Sequence, residues 1–264
     1  MRRFRLSPWN YLWIIVGAAY FLVPLWGTAE FSLETGIGKY GFSNYATILQ
    51  DPTFKTDFLL SLKIAVETVI ISLILMVPTM FWIELKLPRL KPVMDFIAVL
   101  PFVVPPITLA VGILHVFNRP ILSLLLADEK ILALTYVVLA LPFTYRSLDA
   151  GMRAIDLRTL TEAAQSVGAG WVTILIRVVI PNIRFALLSA IFLTMTLVMG
   201  EYTIASLMLF NTFPVYIQYV GATQAQPAAA LSMISFGLTW LGMLGILVLG
   251  RGVGQRQTVV GGAH

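Results

Sequence analysis

Long apolar runs separated by short polar segments form the main pattern along this chain. Most of the runs are near 20 residues, the length of helix that crosses about 30 Å of hydrocarbon. Backbone polar groups in lipid must be satisfied within the segment, so each run is predicted to be helical. The alternation typical of a membrane barrel strand is absent from the sequence. The predicted spans are Trp9–Ala29, Phe58–Ile83, Phe96–Phe117, Ile131–Tyr145, Phe185–Phe210 and Ala228–Gly250, the fourth being the shortest.

The composition of the 264 residues agrees with this pattern. Hydrophobic residues make up 58% and charged residues 12%, against about 45–50% and about 25% in soluble domains, which excludes a soluble globular enzyme. The chain has no Cys, so disulfides, Cys-ligated metals and thiol catalysis are excluded. No His or carboxylate cluster has metal-ligand spacing, so no metal site is expected. The net charge of +5 is diffuse, so no nucleic-acid partner is expected.

The distribution of basic residues predicts the orientation in the membrane. An even number of spans puts both termini on one side, and most of the 18 Lys and Arg residues lie on that side. Cytoplasmic loops accumulate Lys and Arg, so both termini are predicted to be cytoplasmic. The first run also resembles a signal peptide, with a basic start and small residues at Gly27–Ala29. Its length and the aromatic residues at its ends favour a retained span: Trp9, Tyr11, Trp13 and Trp26.

The segment Arg146–Pro181, between spans four and five, is too polar to cross the membrane and is patterned as two helices. Asp156 is predicted to cap the first helix and Gly168 to end it. The second helix is predicted to run from Trp171 to Val179 and to end at Pro181. Apolar residues recur along one edge of the first helix, at Leu157, Leu160, Ala164 and Val167. The spacing alone is equally typical of a helix that lies on the membrane surface.

A longer pattern in this loop argues against a helix that merely lies on the membrane surface. Glu162-Ala163-Ala164 is followed after three residues by Gly168, and after nine more by Val178-Val179-Ile180-Pro181. This resembles the EAA loop of the membrane subunits of bacterial ABC importers, E-A-A, three residues, G, nine residues, I-x-L-P. The departures are conservative, since Val178 stands for Ile and Ile180 for Leu. The six-span plan extends the resemblance over most of the chain, together with prolines of spans three and four: Pro101, Pro105, Pro106 and Pro142.

The resemblance implies a type I importer permease in the bacterial inner membrane. The fold is then an all-α polytopic membrane protein of about six transmembrane helices, whose cytoplasmic loop forms a coupling helix in a cleft of a separate ATPase. Small side chains let another protein approach closely, and Glu162 can accept a charge-assisted hydrogen bond from it. The residues expected to couple to the ATPase are Glu162, Ala163, Ala164, Gly168 and Pro181.

The partners that the resemblance implies supply what this chain lacks. The sequence has no G-x-x-x-x-G-K-[ST] stretch to hold phosphates, so it is not expected to be an enzyme or to have catalytic residues. A dimer of the partner ATPase would bind ATP and Mg. One coupling loop per chain requires a second permease subunit, and the resemblance favours a different permease, in a heterodimer, over a second copy of this chain. An extracytoplasmic solute-binding protein would deliver the solute.

A few polar residues inside the spans are candidates for the translocation path. Lys63 and Glu67 are four residues apart and are expected to pair, with Glu67 lining the path as the alternative. Glu201 has no basic residue one turn away, so it is expected to face other subunits or a water-filled cavity. With Tyr202 and Thr203 it is a candidate for lining the path, and an interhelical hydrogen bond is the alternative. Five span prolines fit either hinges or static bends: Pro78, Pro101, Pro105, Pro106 and Pro142.

The substrate is narrowed only by a second resemblance. Gly200–Leu207, with Phe213–Ile217, resembles spermidine/putrescine-type permeases, a branch that also includes transporters of iron, molybdate and opines. A polyamine or another small solute is therefore expected. A secondary transporter would show inverted repeats and need no ATPase, and the EAA-like loop argues against it. A membrane-bound enzyme would need a catalytic constellation that the sequence lacks, whereas the composition also fits a structural membrane subunit without transport.

Overall fold

In a computed structural model, the structure describes residues 8–117 and 128–254. Nearly all of these residues are helical. In the described part of the chain, four helices are long and apolar enough to cross a membrane, and the number rises to six if each of two bent helix pairs is one span. This confirms the predicted all-α polytopic fold. Several basic residues used to predict orientation lie outside the described residues: Arg2, Arg3, Arg5, Arg119 and Arg256.

The first of two compact units contains residues up to 55 and 216–238. It begins with α1 (Pro8–Leu33), which leads into a hairpin of β1 (Glu34–Gly36) and β2 (Lys39–Tyr40), followed by α2 (Ser43–Gln50). The Asn44 side chain donates hydrogen bonds to the carbonyl oxygens of Ser32 and Glu34, each at 2.9 Å. These bonds attach α2 to the end of α1 and to the start of β1.

The second unit contains residues 56–215 and those from 239 onward. A short 3₁₀ turn, Pro88–Leu90, precedes α4. Three of the described helices, α3, α11 and α12, contain residues of both units. The helices, in chain order, are α3 (Pro52–Leu85), α4 (Lys91–Val103), α5 (Pro106–Phe117), α6 (Lys130–Arg153), α7 (Leu157–Ser166), α8 (Trp171–Asn182), α9 (Arg184–Gly200), α10 (Thr203–Leu207), α11 (Phe213–Thr223) and α12 (Ala225–Gly254).

Two clusters of buried side chains hold the second unit together. One cluster lies between α3, α5, α6, α9 and α10 and includes Ile64, Tyr136 and Ile204. The other joins α3, α4 and α6 to the loop helices α7 and α8, and includes Phe81 and Ile174. The polar loop is thus packed into the protein core.

The predicted third span is broken. Helix α4 ends at Val103 and α5 begins at Pro106, with a 96° bend between the two helices. Val104 is extended (φ −87°, ψ 115°), as favoured for a residue before proline. Two successive prolines then remove backbone donors. The predicted span Phe96–Phe117 is therefore a bent pair of helices, with the break at prolines that the sequence marked as hinges or bends.

The fourth and fifth predicted spans also differ from the observed helices. Helix α6 continues from Lys130 to Arg153, so the first residues of the predicted loop are helical. Helix α9 ends at Gly200, where Glu201 is extended (φ −81°, ψ 115°) and α10 follows. The predicted continuous span Phe185–Phe210 is wrong because the backbone breaks at Glu201.

Candidate functional site

The loop between α6 and α9 folds into a helical hairpin of α7 and α8, which we call the loop hairpin. At its start, Asp156 Oδ1 accepts a hydrogen bond from the Thr159 amide at 3.2 Å. Hydrogen bonding with Thr159 also holds the pKa of Asp156 below its usual range. The predicted cap is confirmed, and it satisfies one of the free amides of the first turn.

Gly168 ends α7 as predicted, through a left-handed backbone conformation (φ +83°). The Gly168 amide donates to the Gln165 oxygen at 2.9 Å, and the Ala169 amide donates to the Ala164 oxygen at 3.0 Å. This pair of bonds is a Schellman motif. A Cβ added at Gly168 would meet no atom within 4 Å, so only the backbone conformation requires glycine. Helix α7 is thus fixed at both ends.

The second helix of the loop hairpin departs from the regular α form. Residues Ile174–Val179 of α8 form a π-helix, flanked by α-helical residues. The helix was expected to end at Pro181, but it continues to Asn182. Pro181 stands in the last turn of α8, where it has no amide to donate to the preceding turn.

The loop hairpin has a buried side and an exposed side. Leu157 and Thr161 face the core, whereas Ala163 is exposed. Glu162 is also exposed, and its Oε1 lies 2.9 Å from Arg158 Nε. The predicted apolar edge is wrong at Val167, which is 83% exposed. Val167 follows the last helical residue, so the helical periodicity no longer applies to it.

Sequence analysis missed a cluster of charged groups at the ends of three helices of the second unit. Lys91 Nζ forms ion pairs with Glu84 and with Asp149, the latter at 2.9 Å. Asp149 also pairs with Arg153, at 3.0 Å. These pairs tie together the ends of α3, α4 and α6. The four-residue spacing of Asp149 and Arg153 was a signal for one pair, but the contact with Lys91 depends on tertiary structure.

The expected pair of Lys63 and Glu67 does not form. Lys63 instead pairs with Glu129, just before α6. Side chains lean toward the N-terminus of their helix, so the Lys63 side chain leans away from Glu67, which lies one turn toward the C-terminus. Glu67 is half-buried and lines a groove of about 270 Å³ with Ile70, Ile71, Lys130, Ala133 and Leu134.

Glu201 is buried, with 9% of its surface exposed. Tyr136 on α6 donates a hydrogen bond to Glu201 Oε2 at 2.9 Å, and the Ile204 amide donates to Oε1 at 2.9 Å. The expectation that Glu201 faces another subunit or water is wrong, because groups of its own chain satisfy the carboxylate. The alternative of an interhelical hydrogen bond is confirmed. Beside it, Tyr202 is 43% exposed and Thr203 half-buried.

Within the described residues, no group of His, Asp or Glu side chains is arranged to hold a metal ion. The sites that the structure assembles are a capped surface hairpin, an ion-pair cluster around Lys91 and a buried Tyr136–Glu201 hydrogen bond at the break after α9.

Comparisons with known proteins identify relatives. No family model matches the chain. A probable ABC transporter permease protein, y4fN of Sinorhizobium fredii, is 26% identical over 264 residues, covering 91% of this chain and 45% of that protein. The spermidine/putrescine transport system permease protein PotB of Salmonella typhimurium is 27% identical and covers 64% of this chain and 63% of its own length. The molybdenum transport system permease protein ModB of Mycobacterium tuberculosis is 25% identical and covers 91% and 94%.

A solved structure has the same fold. It is the crystal structure of a bacterial ABC transporter involved in the import of the acidic polysaccharide alginate, which covers 92% of this chain at a TM-score of 0.66 and 17% identity. The chain spans about half the length of y4fN and somewhat under two thirds of PotB. The relatives share the permease description although their named substrates differ, so the chain is similar to ABC transporter permease proteins.

Proposed function

We propose that this chain is the membrane-spanning permease subunit of an ATP-driven ABC importer and that the loop hairpin couples it to a separate ATPase. The observation that carries the proposal is the hairpin itself. Its inner side is packed into the core and its outer side carries Glu162 and Ala163. Both ends of α7 are fixed by hydrogen bonds. A short helix anchored in this way transmits a push from a partner protein as a rigid body.

The exposed side of the loop hairpin suits a protein partner. Val167 and Val172 are 83% and 70% exposed, and their burial against another protein would be favourable. The Glu162–Arg158 pair lies at the surface, where an ion pair contributes little. Glu162 is therefore available to a basic group of the partner. Gly168 and Pro181 shape the hairpin and Ala164 packs beneath it, half-buried.

The remaining parts of the transporter belong to other chains. The sequence has no phosphate-binding loop, so a dimer of the partner ATPase binds ATP with Mg and hydrolyses it. The basic residues near the loop hairpin support a cytoplasmic location for it and for both termini. A second permease, different from this chain in the favoured arrangement, completes the pathway. A solute-binding protein docks on the opposite face.

Transport follows alternating access. ATP binding closes the ATPase dimer, the coupling helices of the two permeases move together, and the pathway opens toward the binding protein. Hydrolysis returns the pathway to the inward-facing state. We assign Tyr202 and Thr203 to the lining of this pathway because they follow the helix break, with Glu201 holding the break in place. Glu67 lines its groove on α3 and is the further candidate.

The proposed substrate is a polyamine of the spermidine or putrescine type. Support comes from the segment Gly200–Leu207 and from PotB. ModB, which is matched over 94% of its length, favours a second candidate, the molybdate oxyanion. The two solutes have opposite charge, so a single competition experiment separates them.

Uptake by the reconstituted complex tests the proposal. The chain is purified with the ATPase, second permease and solute-binding protein encoded by neighbouring genes, and placed in proteoliposomes. We expect uptake of labelled spermidine that requires ATP and is reduced by unlabelled putrescine but not by molybdate. Inhibition by molybdate instead would identify the molybdate oxyanion as the substrate. Uptake that persists without ATP or ATPase would indicate a secondary transporter and overturn the proposal.

A further inference from the structure

The start of α8 and the end of α3 are joined by an aromatic contact. The ring centroids of Trp171 and Trp82 lie 4.9 Å apart at an angle of 49°. Phe81 packs against both rings, at 5.5 Å from Trp82 and 6.3 Å from Trp171. Lys86 Nζ lies 5.0 Å from the centroid of the Trp171 ring, within the range of a cation–π interaction. We call Trp82, Lys86 and Trp171 the aromatic linkage.

The position of Trp171 gives this contact its importance. Trp171 is the first residue of α8, and it follows the Gly168 turn after only Ala169 and Gly170. Any displacement of the C-terminal end of α7 therefore reaches Trp171 through a very short connection. The chain continues from α8 directly into α9, but α3 is remote in sequence. Motion of the loop hairpin reaches α3 only through side-chain contacts.

The three side chains are suited to keep two helix ends in a fixed relation. Aromatic rings have few rotatable bonds and prefer defined mutual orientations. Trp82 is 36% exposed whereas the neighbouring Phe81 is 1% exposed, so Phe81 fills the core and Trp82 lies at its edge. Lys86 lies one residue beyond α3, and its ammonium over Trp171 attaches the very end of that helix to the loop hairpin.

We propose that Trp82, Lys86 and Trp171 are positioning residues that make α3 follow the loop hairpin when the ATPase moves it. This inference rests on the proposed function. When the linkage is weakened, the ATPase still docks on the exposed side of the hairpin and hydrolyses ATP. The displacement is then transmitted poorly to α3, so fewer solute molecules are imported per ATP.

The test measures uptake and ATP hydrolysis in the same proteoliposomes of the complete complex. In Trp171→Leu and Trp82→Leu, we expect assembly to be retained and the ratio of solute imported to ATP hydrolysed to fall several-fold. The double variant should be no worse than the poorer single variant, because both rings act through one contact. The matched control is Trp26→Leu, since Trp26 is 74% exposed on α1, and its ratio should stay at the wild-type value.

Variants of Lys86 test the aromatic linkage even if a Trp variant fails to assemble. Lys86→Met keeps most of the side-chain volume but removes the charge over Trp171, and we expect its ratio to fall. Lys86→Arg retains the cation and should restore the ratio. Wild-type ratios in both Lys86→Met and any assembled Trp→Leu variant would overturn the linkage. A wild-type complex without ATP-driven uptake would instead contradict the proposed function, so the two failures are distinguishable.

Discussion

At the scale of single residues, two glycines of the loop hairpin form a natural pair for comparison. Gly168 and Gly170 both have open space where a Cβ would lie. Gly168 has φ +83°, whereas Gly170 has φ −77° with an extended ψ, which any residue adopts. Sequence reasoning identified Gly168 by its place after a helical run. The structure adds that backbone conformation, not crowding, is the reason for glycine there.

We therefore expect Gly168→Ala and Gly170→Ala to differ. Placing a Cβ in the left-handed region costs about 1 kcal/mol, so Gly168→Ala should loosen the end of α7 and reduce the amount of ATPase that co-purifies. A bulky residue at Gly168 should abolish association or transport. Hydrogen exchange of the α7 amides and quantitative co-purification measure the effect. Equal retention of ATPase by Gly168→Val and Gly170→Ala would contradict the role of the turn.

Glu201 illustrates how far sequence alone reaches at this scale. Its isolation in an apolar run marked it as a residue that needs a partner. That partner is Tyr136. Because Tyr136 lies on another helix, local spacing could not identify it. Lys63 is similar: the nearest opposite charge along its helix was Glu67, but folding brings Glu129 to it. Local periodicity identifies polar residues that need a hydrogen-bond or ion-pair partner. Tertiary packing determines which groups become those partners.

At the scale of elements, the packing of α6 against α9 depends on one small residue. A Cβ built on Gly151 would lie 2.3 Å from the Cβ of Ala186, far inside van der Waals contact. Small residues permit this close approach of membrane helices. Because α9 follows the loop hairpin directly, the contact fixes the hairpin relative to α6.

Gly151→Ala is accordingly expected to force α6 and α9 apart. Overpacking of this kind costs about 1–3 kcal/mol, which should lower the thermal unfolding temperature in detergent. Gly112→Ala on α5 is the control, because a Cβ there meets no atom within 4 Å and Ala is the better helix former. The double change Gly151→Ala with Ala186→Gly should recover most of the loss. An unchanged unfolding temperature in Gly151→Ala would show that the helices do not approach closely.

The helix breaks mark the limit of hydropathy as a guide to elements. Apolar windows located the membrane segments, because lipid exposure requires long apolar stretches. Hydropathy is insensitive to backbone conformation. The predicted spans therefore merged α4 with α5, and merged α9 with the residues that follow the break at Glu201. The Pro105-Pro106 pair was a visible signal for the first break. The second break had weaker signals, a glycine at position 200 and a charged residue at position 201.

At the scale of the whole molecule, the proposed orientation gives the chain two faces. The charge distribution of the sequence predicts that most basic residues lie on the cytoplasmic side with the loop hairpin, and the inner side of that hairpin is packed into the core of the second unit. The β1–β2 turn is predicted from the sequence to be extracytoplasmic, and it carries Ile37, which is fully exposed. The proposed transporter uses the first face for the ATPase and the second for a solute-binding protein.

Site-directed cross-linking tests this central claim most directly. The chain has no Cys, so Ala163→Cys and Ile37→Cys are single-cysteine variants without further changes. A short cross-linker on Ala163→Cys should capture the ATPase subunit, and a membrane-impermeant thiol reagent applied from outside the cell should label only Ile37→Cys. An ATPase adduct at Ala163→Cys with none at Ile37→Cys is the predicted result. Failure of Ala163→Cys to cross-link while the complex is intact, or its labelling from outside, would contradict the account.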